Sequence, residues 1–135
     1  MKYLVDANVL SEATKPSPND MVLDWLSKNE RVLAVNPIVL GELQYGIFLL
    51  PSGKKRDRLL KWLASGIQHL AMLVLDSETA CVWAQLLSEL KHKGHAMPLK
   101  DSLIAASARQ YGLCIATRNT KDFAPAGVKL VNPFG

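Results

Sequence analysis

No apolar run in this chain approaches the ~20 residues that a helical membrane span requires, which excludes an integral membrane protein of that kind. Cysteine is scarce. Cys81 and Cys114 stand alone in TACVWA and GLCIAT, without metal-ligand spacing, and are expected to be buried free thiols of a cytosolic protein. Three histidines, His69, His92 and His95, form no zinc pattern and are expected at solvated helix ends. No secretory leader is expected either, because Asp6 and Glu12 interrupt any apolar core near the N-terminus, and a cytoplasmic location is expected. Repeats, low-complexity tracts and interdomain linkers are all lacking, and the 135 residues are expected to form one domain, 1–135. Acids are in the minority, 12 against 16 lysines and arginines for a net charge of +4. That balance is compatible with a polyanionic partner and is weak evidence alone.

What is present is an alternation of short apolar runs with helical patterns. Residues 2–5, 31–35, 72–75, 114–117 and 128–131 read as strands. Helices are expected over about 6–14, from 20 to Asn29, from Asn36-Pro37 to Leu50, over 54–70, from Asp76-Ser77 to about His92, and from Pro98 to Tyr111. Asn36 followed by proline is a cap and first-turn pair, and Gly112 is placed to end the last helix. The helix PIVLGELQYGIFLL is apolar nearly all round and is expected to be central. In the others one face carries the apolar residues: Val22, Trp25 and Leu26; Leu59, Leu63, Ile67 and Leu70; Ala80, Trp83, Leu87 and Leu90. Buried strands separated by helices imply an α/β fold, a three-layer α/β/α sandwich around a mainly parallel sheet of four to five strands. Ligands of such folds sit beyond the carboxyl ends of the strands.

Asp6 falls at that end of the first strand. It serves either as a helix cap or as a carboxylate delivered to a working site. Glu42 and Asp101 sharpen the choice. Glu42 has Ile38, Val39, Tyr45, Gly46 and Leu49 as its helical neighbours, and Asp101 has Ile104, Ala105 and Ala108. A buried unpaired charge is costly or becomes protonated. Three resolutions are open: pairing with Arg109, Arg118 or Lys100, partial exposure at helix ends, or convergence on a divalent cation. Carboxylates ~5 Å apart repel by ~3 kcal/mol per pair at an effective dielectric near ~20, so convergence demands positive charge. Mg²⁺ or Mn²⁺ suits an all-oxygen site. The stretch ATRNTKDF leaves the fourth strand with Asn119 and Asp122, either as turn chemistry or, at Asn119 first, as a group that orients water or metal.

VDANVLSE, NPIVLGELQYGI, PLKDSLIAA and ATRNTKDF, in this order and separation, together resemble the PIN-domain ribonucleases. They are most similar to the VapC toxins of bacterial toxin–antitoxin pairs, including the FitB-like branch. The resemblance runs from about residue 3 to residue 133. It implies a PIN-like fold whose acidic pocket binds Mg²⁺ or Mn²⁺ and hydrolyses RNA phosphodiesters to 5′-phosphate and 3′-hydroxyl ends. Asp6 and Asp101 match the family's principal metal-binding aspartates, and Glu42 the glutamate that completes the acidic triad. Many relatives carry a fourth acid where this chain has Asn119, a departure that puts a tightly held second metal in doubt, with Asp122, three residues on, as a partial substitute. The resemblance further implies a cognate VapB-type antitoxin, dimerisation, and operator DNA bound through the antitoxin. Lys54, Lys55, Arg56 and Arg58, the segment from Lys91 to His95, and Lys100 and Arg118 are candidate contacts to the RNA backbone, or equally solvated helix faces.

Two rival readings remain at this level. A strand-end aspartate also serves Mg²⁺-dependent aspartyl phosphotransferases of the haloacid-dehalogenase kind, but those want a second aspartate where this chain has Asn8. The other is a catalytically inactive PIN-like module that binds nucleic acid or a partner, which the Asn119 departure keeps open.

Overall fold

The computed structural model describes residues 1–66 and 69–135. Five strands form one sheet in the order β3-β2-β1-β4-β5: Tyr3–Val5 (β1), Leu33–Val35 (β2), Ala71–Met72 (β3), Cys114–Ala116 (β4) and Leu130–Val131 (β5). Every neighbouring pair is parallel. The helices that cross between them are Ala7–Glu12 (α1) and Asp20–Asn29 (α2), Pro37–Phe48 (α3) and Lys54–Gly66 (α4), Ser77–His92 (α5) and Leu99–Tyr111 (α6), then the short Thr120–Phe123 (α7). The α/β sandwich expected from the alternation is the fold.

β1 is the centre. Leu4 and Val5 are wholly buried, as are Ala34 and Val35 on one side and Ile115 and Ala116 on the other, because helices cover both faces. From β1 the chain steps outward to β2 and β3, then returns to lay β4 on the opposite flank of β1. That reversal between β1 and β4 opens a crevice at the carboxyl ends of the strands, where such sheets bind ligands.

Several boundaries differ from the sequence expectation. Each strand is shorter by one to two residues, and residues 30–32 form a 3₁₀ turn ahead of β2. β3 stops at Met72, although Leu73 still donates its backbone N–H to the Val35 carbonyl at 2.8 Å. Beyond it Val74 and Leu75 are exposed, since among the described residues no further strand pairs with this edge. α4 is described to Gly66, and Ile67 lies outside the described residues. α3 is not central throughout. It buries Val39, Leu43 and Ile47 while Tyr45, Phe48 and Leu49 face solvent. A helix apolar on every side gives no sequence clue to which face is covered.

α5 buries Thr79, Leu86 and Leu90 and leaves Ala80 and Leu87 exposed, so the covered stripe is rotated by about one residue. Cys81 lies roughly half a turn from that stripe. It is an exposed free thiol, and Cys114 a half-buried one, which corrects the expectation of two buried cysteines. The described histidines are exposed near helix ends, as expected.

Candidate functional site

Asp6 is 4% exposed and is a helix cap, the first of the two roles the sequence allowed. Its extended backbone ends β1, and Oδ1 accepts the Ala7 N–H at 2.8 Å as the cap of α1. Oδ2 accepts the Thr117 hydroxyl at 2.7 Å and the Asn8 amide at 3.2 Å. The cap leaves one carboxylate edge aimed across the β1/β4 crevice.

Two residues make that placement rigid. Thr117, fully buried just after β4, donates its hydroxyl to Asp6 and accepts the backbone N–H of Asn119 at 3.0 Å. Asn8 approaches the same Thr117 Oγ1 at 3.4 Å, and its own Oδ1 accepts the Arg118 N–H at 3.1 Å. The turn leaving β4 is thus sewn to the turn leaving β1. The sequence alone presents Asn8 only as a departure from the aspartate that a phosphotransferase would need. The signal for its actual role is an amide two residues from a buried acid, able to donate and accept at once.

Glu42 is carried by the second turn of α3, and the position of that helix is set by Asn36. This side chain is fully buried, and its Oδ1 caps the helix by accepting the Val39 N–H at 3.0 Å. Its Nδ2 donates to Ser107 Oγ on α6 at 3.0 Å. α6 in turn carries Asp101 in its first turn, so a single buried amide ties together the helices bearing two of the acids. Ser102, beside Asp101, accepts the Trp83 indole N–H at 3.0 Å and returns its hydroxyl to the Leu99 carbonyl at 2.7 Å. The stripe expected beneath Asp101 is confirmed, with Ile104, Ala105 and Ala108 in the core. The stripe expected around Glu42 is not, because Tyr45, Gly46 and Leu49 are exposed. Glu42 sits beside the core face of α3 rather than on it, with its side chain 21% exposed.

The three acids share one electrostatic field. Burial pushes the Glu42 carboxyl above its usual 4.5, and the charge of Asp6 and then that of Asp101 push the same way. Burial likewise raises Asp101 above 3.8, reinforced by Asp6 and by Asp122. Lys100 opposes both shifts, with its Nζ 3.9 Å from Glu42 Oε1. The other two candidate bases are engaged elsewhere. Arg109 pairs with Glu89 at 2.7 Å and donates to the Ala126 carbonyl at 2.7 Å, while Arg118 stacks over the Phe134 ring at 4.7 Å. Among the described residues no three acids, histidines or cysteines are drawn close enough to enclose a metal ion as they stand. Asp6, Glu42 and Asp101 are neighbours in charge without touching one another.

Asn119 lies at the same rim, exposed, and its side chain does not cap α7. Asp122, one turn further along in α7, carries a charge that reaches Asp101, beside the position expected of the fourth acid.

The same field makes stability depend on pH. An acid whose folded pKa is raised keeps its proton over a pH span in which the unfolded chain has already lost it. Stability therefore falls as pH rises through that span. In EDTA, Glu42→Gln is expected to melt above the wild type at about pH 7, with the gap closing as pH falls below the ordinary 4.5. Melting curves of both proteins between about pH 4 and pH 8 test this. A gap independent of pH contradicts it.

Residues 3–128 match the family model described as the PIN domain. The sequence is 37% identical to toxin FitB of Neisseria gonorrhoeae over 97% of each chain. The fold matches the crystal structure of FitAcB from the same organism with a TM-score of 0.91, at 35% identity over 98% of both chains. It is also 33% identical to VapC ribonuclease Y4jK of Sinorhizobium fredii, over 97% of this chain and 96% of that one. A further match is VapBC2 from Rickettsia felis bound to a DNA fragment from their promoter, with a TM-score of 0.83, 27% identity and 98% of both chains covered.

Proposed function

The chain belongs to the PIN domain family, and from that premise we propose that it is a Mg²⁺-dependent endoribonuclease, the toxin of a type II toxin–antitoxin pair. The observation that carries the metal dependence is the unneutralised field at the β1/β4 crevice. The charge of Asp6 raises the proton affinity of both Glu42 and Asp101, and Asp101 raises that of Glu42, with one lysine 3.9 Å from Glu42 as the nearest relief. An all-carboxylate donor set of this kind fits a hard divalent cation, Mg²⁺ or Mn²⁺.

In this reading Asp6 and Asp101 hold the ion, and Glu42 completes the set. When bound, the ion supplies a lowered pKa for water and polarisation of the phosphoryl group. Asp6 brings a carboxylate already fixed by Thr117 and Asn8, so little side-chain freedom is lost on binding. Glu42, with its raised proton affinity and partial exposure, is suited to orient the attacking water and accept its proton. Lys100 offers a charge beside the same site for the phosphate. Asn119, at the exposed rim, orients water or phosphate rather than gripping metal.

The relatives named toxin and ribonuclease support an RNA substrate, and the complex on promoter DNA supports operator binding through an antitoxin. A VapB-type antitoxin is the proposed partner, within an assembly containing a toxin dimer. Phe48 and Leu49, exposed by 48% and 67% at the C-terminal end of α3, offer apolar surface for such an interface. The test is incubation of purified toxin, freed of co-purifying inhibitor, with total RNA in Mg²⁺ or in EDTA. Fragments carrying 5′-phosphates are expected in Mg²⁺ and none in EDTA. Equal cleavage in both would overturn the metal mechanism.

A further inference from the structure

We propose that a basic trough between the 13–16 loop and α4 is a phosphate-binding subsite that guides single-stranded RNA into the acidic crevice. This rests on the nuclease reading and adds to it a location for the substrate backbone.

The trough consists of two adjoining cavities. The inner one, about 290 Å³, is lined by Asn8, Ser11 and Glu42, with Leu43, Ile47 and Leu50 as an apolar wall, and so reaches one of the three acids. The outer one, about 490 Å³, is lined by Lys15, Lys55 and Arg58. Thr14, Leu59 and Trp62 line both, so the two cavities adjoin. No acidic side chain lines the outer cavity.

The arrangement follows from helical spacing. Positions 55, 58, 59 and 62 are i, i+3, i+4 and i+7 and share one face of α4. That face turns two cations and an aromatic wall toward the loop. Lys15 reaches the same hollow from a segment about forty residues away. It is held there by Glu12, which is 5% exposed, takes Lys15 Nζ at 2.9 Å on Oε1, and accepts the Asn19 N–H at 2.9 Å on Oε2. The buried carboxylate therefore fixes the loop and offsets much of the Lys15 charge. Lys55 and Arg58 have no ion-pair partner among the described residues, so their charge is available to a ligand.

A groove of positive charge with an aromatic wall is the arrangement by which single strands are bound without sequence choice. Its inner end explains why the occupant is a substrate. A polyanion held by Lys55 and Arg58 and led past Trp62 arrives where Asp6, Glu42 and Asp101 would otherwise repel it. Anchoring outside the acids offsets that repulsion.

The salt dependence of binding tests this. A labelled single-stranded RNA is titrated by anisotropy in EDTA, at several salt concentrations, with three proteins: wild type, the Lys55→Gln/Arg58→Gln double variant, and Lys2→Gln/Lys129→Gln. The last removes the same charge at the amino ends of β1 and β5, the opposite pole of the sheet. Removing one cation that neutralises a phosphate is expected to reduce the slope of log K against log salt by ~0.7 for a single strand. The groove variant should thus lose ~1.4 of slope and bind more weakly, with the pole variant matching wild type. Equal slopes for groove variant and wild type, with RNA cleavage by wild type in Mg²⁺ intact, would overturn the subsite and leave the trough to a protein partner. Equal losses in both double variants would overturn it as well. Wild type that neither binds nor cleaves RNA would instead overturn the nuclease reading on which the subsite rests.

Discussion

Asp6→Asn is expected to lower RNA cleavage by about 10³-fold, because several kcal/mol of charge stabilisation at the reacting phosphate depend on a correctly held ion. The substitution is nearly isosteric, so the fold is expected to persist, with an unchanged circular dichroism spectrum. Asp101→Asn should behave alike. Thr117→Val gives a useful intermediate. It leaves all the acids in place but removes the hydroxyl that donates to Asp6 Oδ2 at 2.7 Å. Loss of such a supporting hydrogen bond typically costs about 10- to 100-fold in activity or metal affinity. A graded series of this kind, with Asp6→Asn far below Thr117→Val, is the signature of a metal-holding carboxylate. If all three variants cleave at the wild-type rate, Asp6 is only a helix cap and the mechanism fails.

Asn36→Ala carries the largest expected loss of stability among the residues that build the site. The change removes a cap on α3, typically about 1 kcal/mol. It also strips the buried Ser107 hydroxyl of its partner, a further 1–3 kcal/mol in order of magnitude, at a position with no solvent access. Together these amount to about 3 kcal/mol, or on the order of 10 °C in melting temperature for a domain of this size. Because the same amide links α3 to α6, activity should fall at temperatures where the variant is still folded. Denaturant melts with parallel cleavage assays measure both. A variant as stable as wild type would show that the two helices are positioned by packing alone.

Much of this architecture was legible in the sequence for a simple reason. Apolar triplets such as those of β1, β2 and β4 are buried on both faces and cannot be written any other way. The caps Asn36, Asp76 and Gly112 were legible because each uses a residue type favoured at its position. Asp6, Glu42 and Asp101 stood out as charges on apolar elements, and the fold brings Glu42 and Asp101 within reach of the charge of Asp6.

What stayed hidden depends on tertiary packing. Glu42 lies next to the covered face of α3, and only the burial of Val39, Leu43 and Ile47 decides which face that is. Asp122 left turn chemistry and a share in the acidic group equally open, and only α7 places its charge within reach of Asp101. Asn8 has no meaning as a clamp until β4 lies beside β1 and brings Thr117 to it. The exposed Cys81 belongs with these, since the covered stripe of α5 is chosen by α6 and not by α5 itself.

The central claim is that residues 6, 42 and 101 form one cation site, and anomalous diffraction from crystals grown with Mn²⁺ tests it most directly. One strong peak is expected at the β1/β4 crevice, about 2 Å from carboxylate oxygens of Asp6 and Asp101, and absent in Asp101→Asn. No peak there at millimolar Mn²⁺, or one that survives the substitution, would contradict the account.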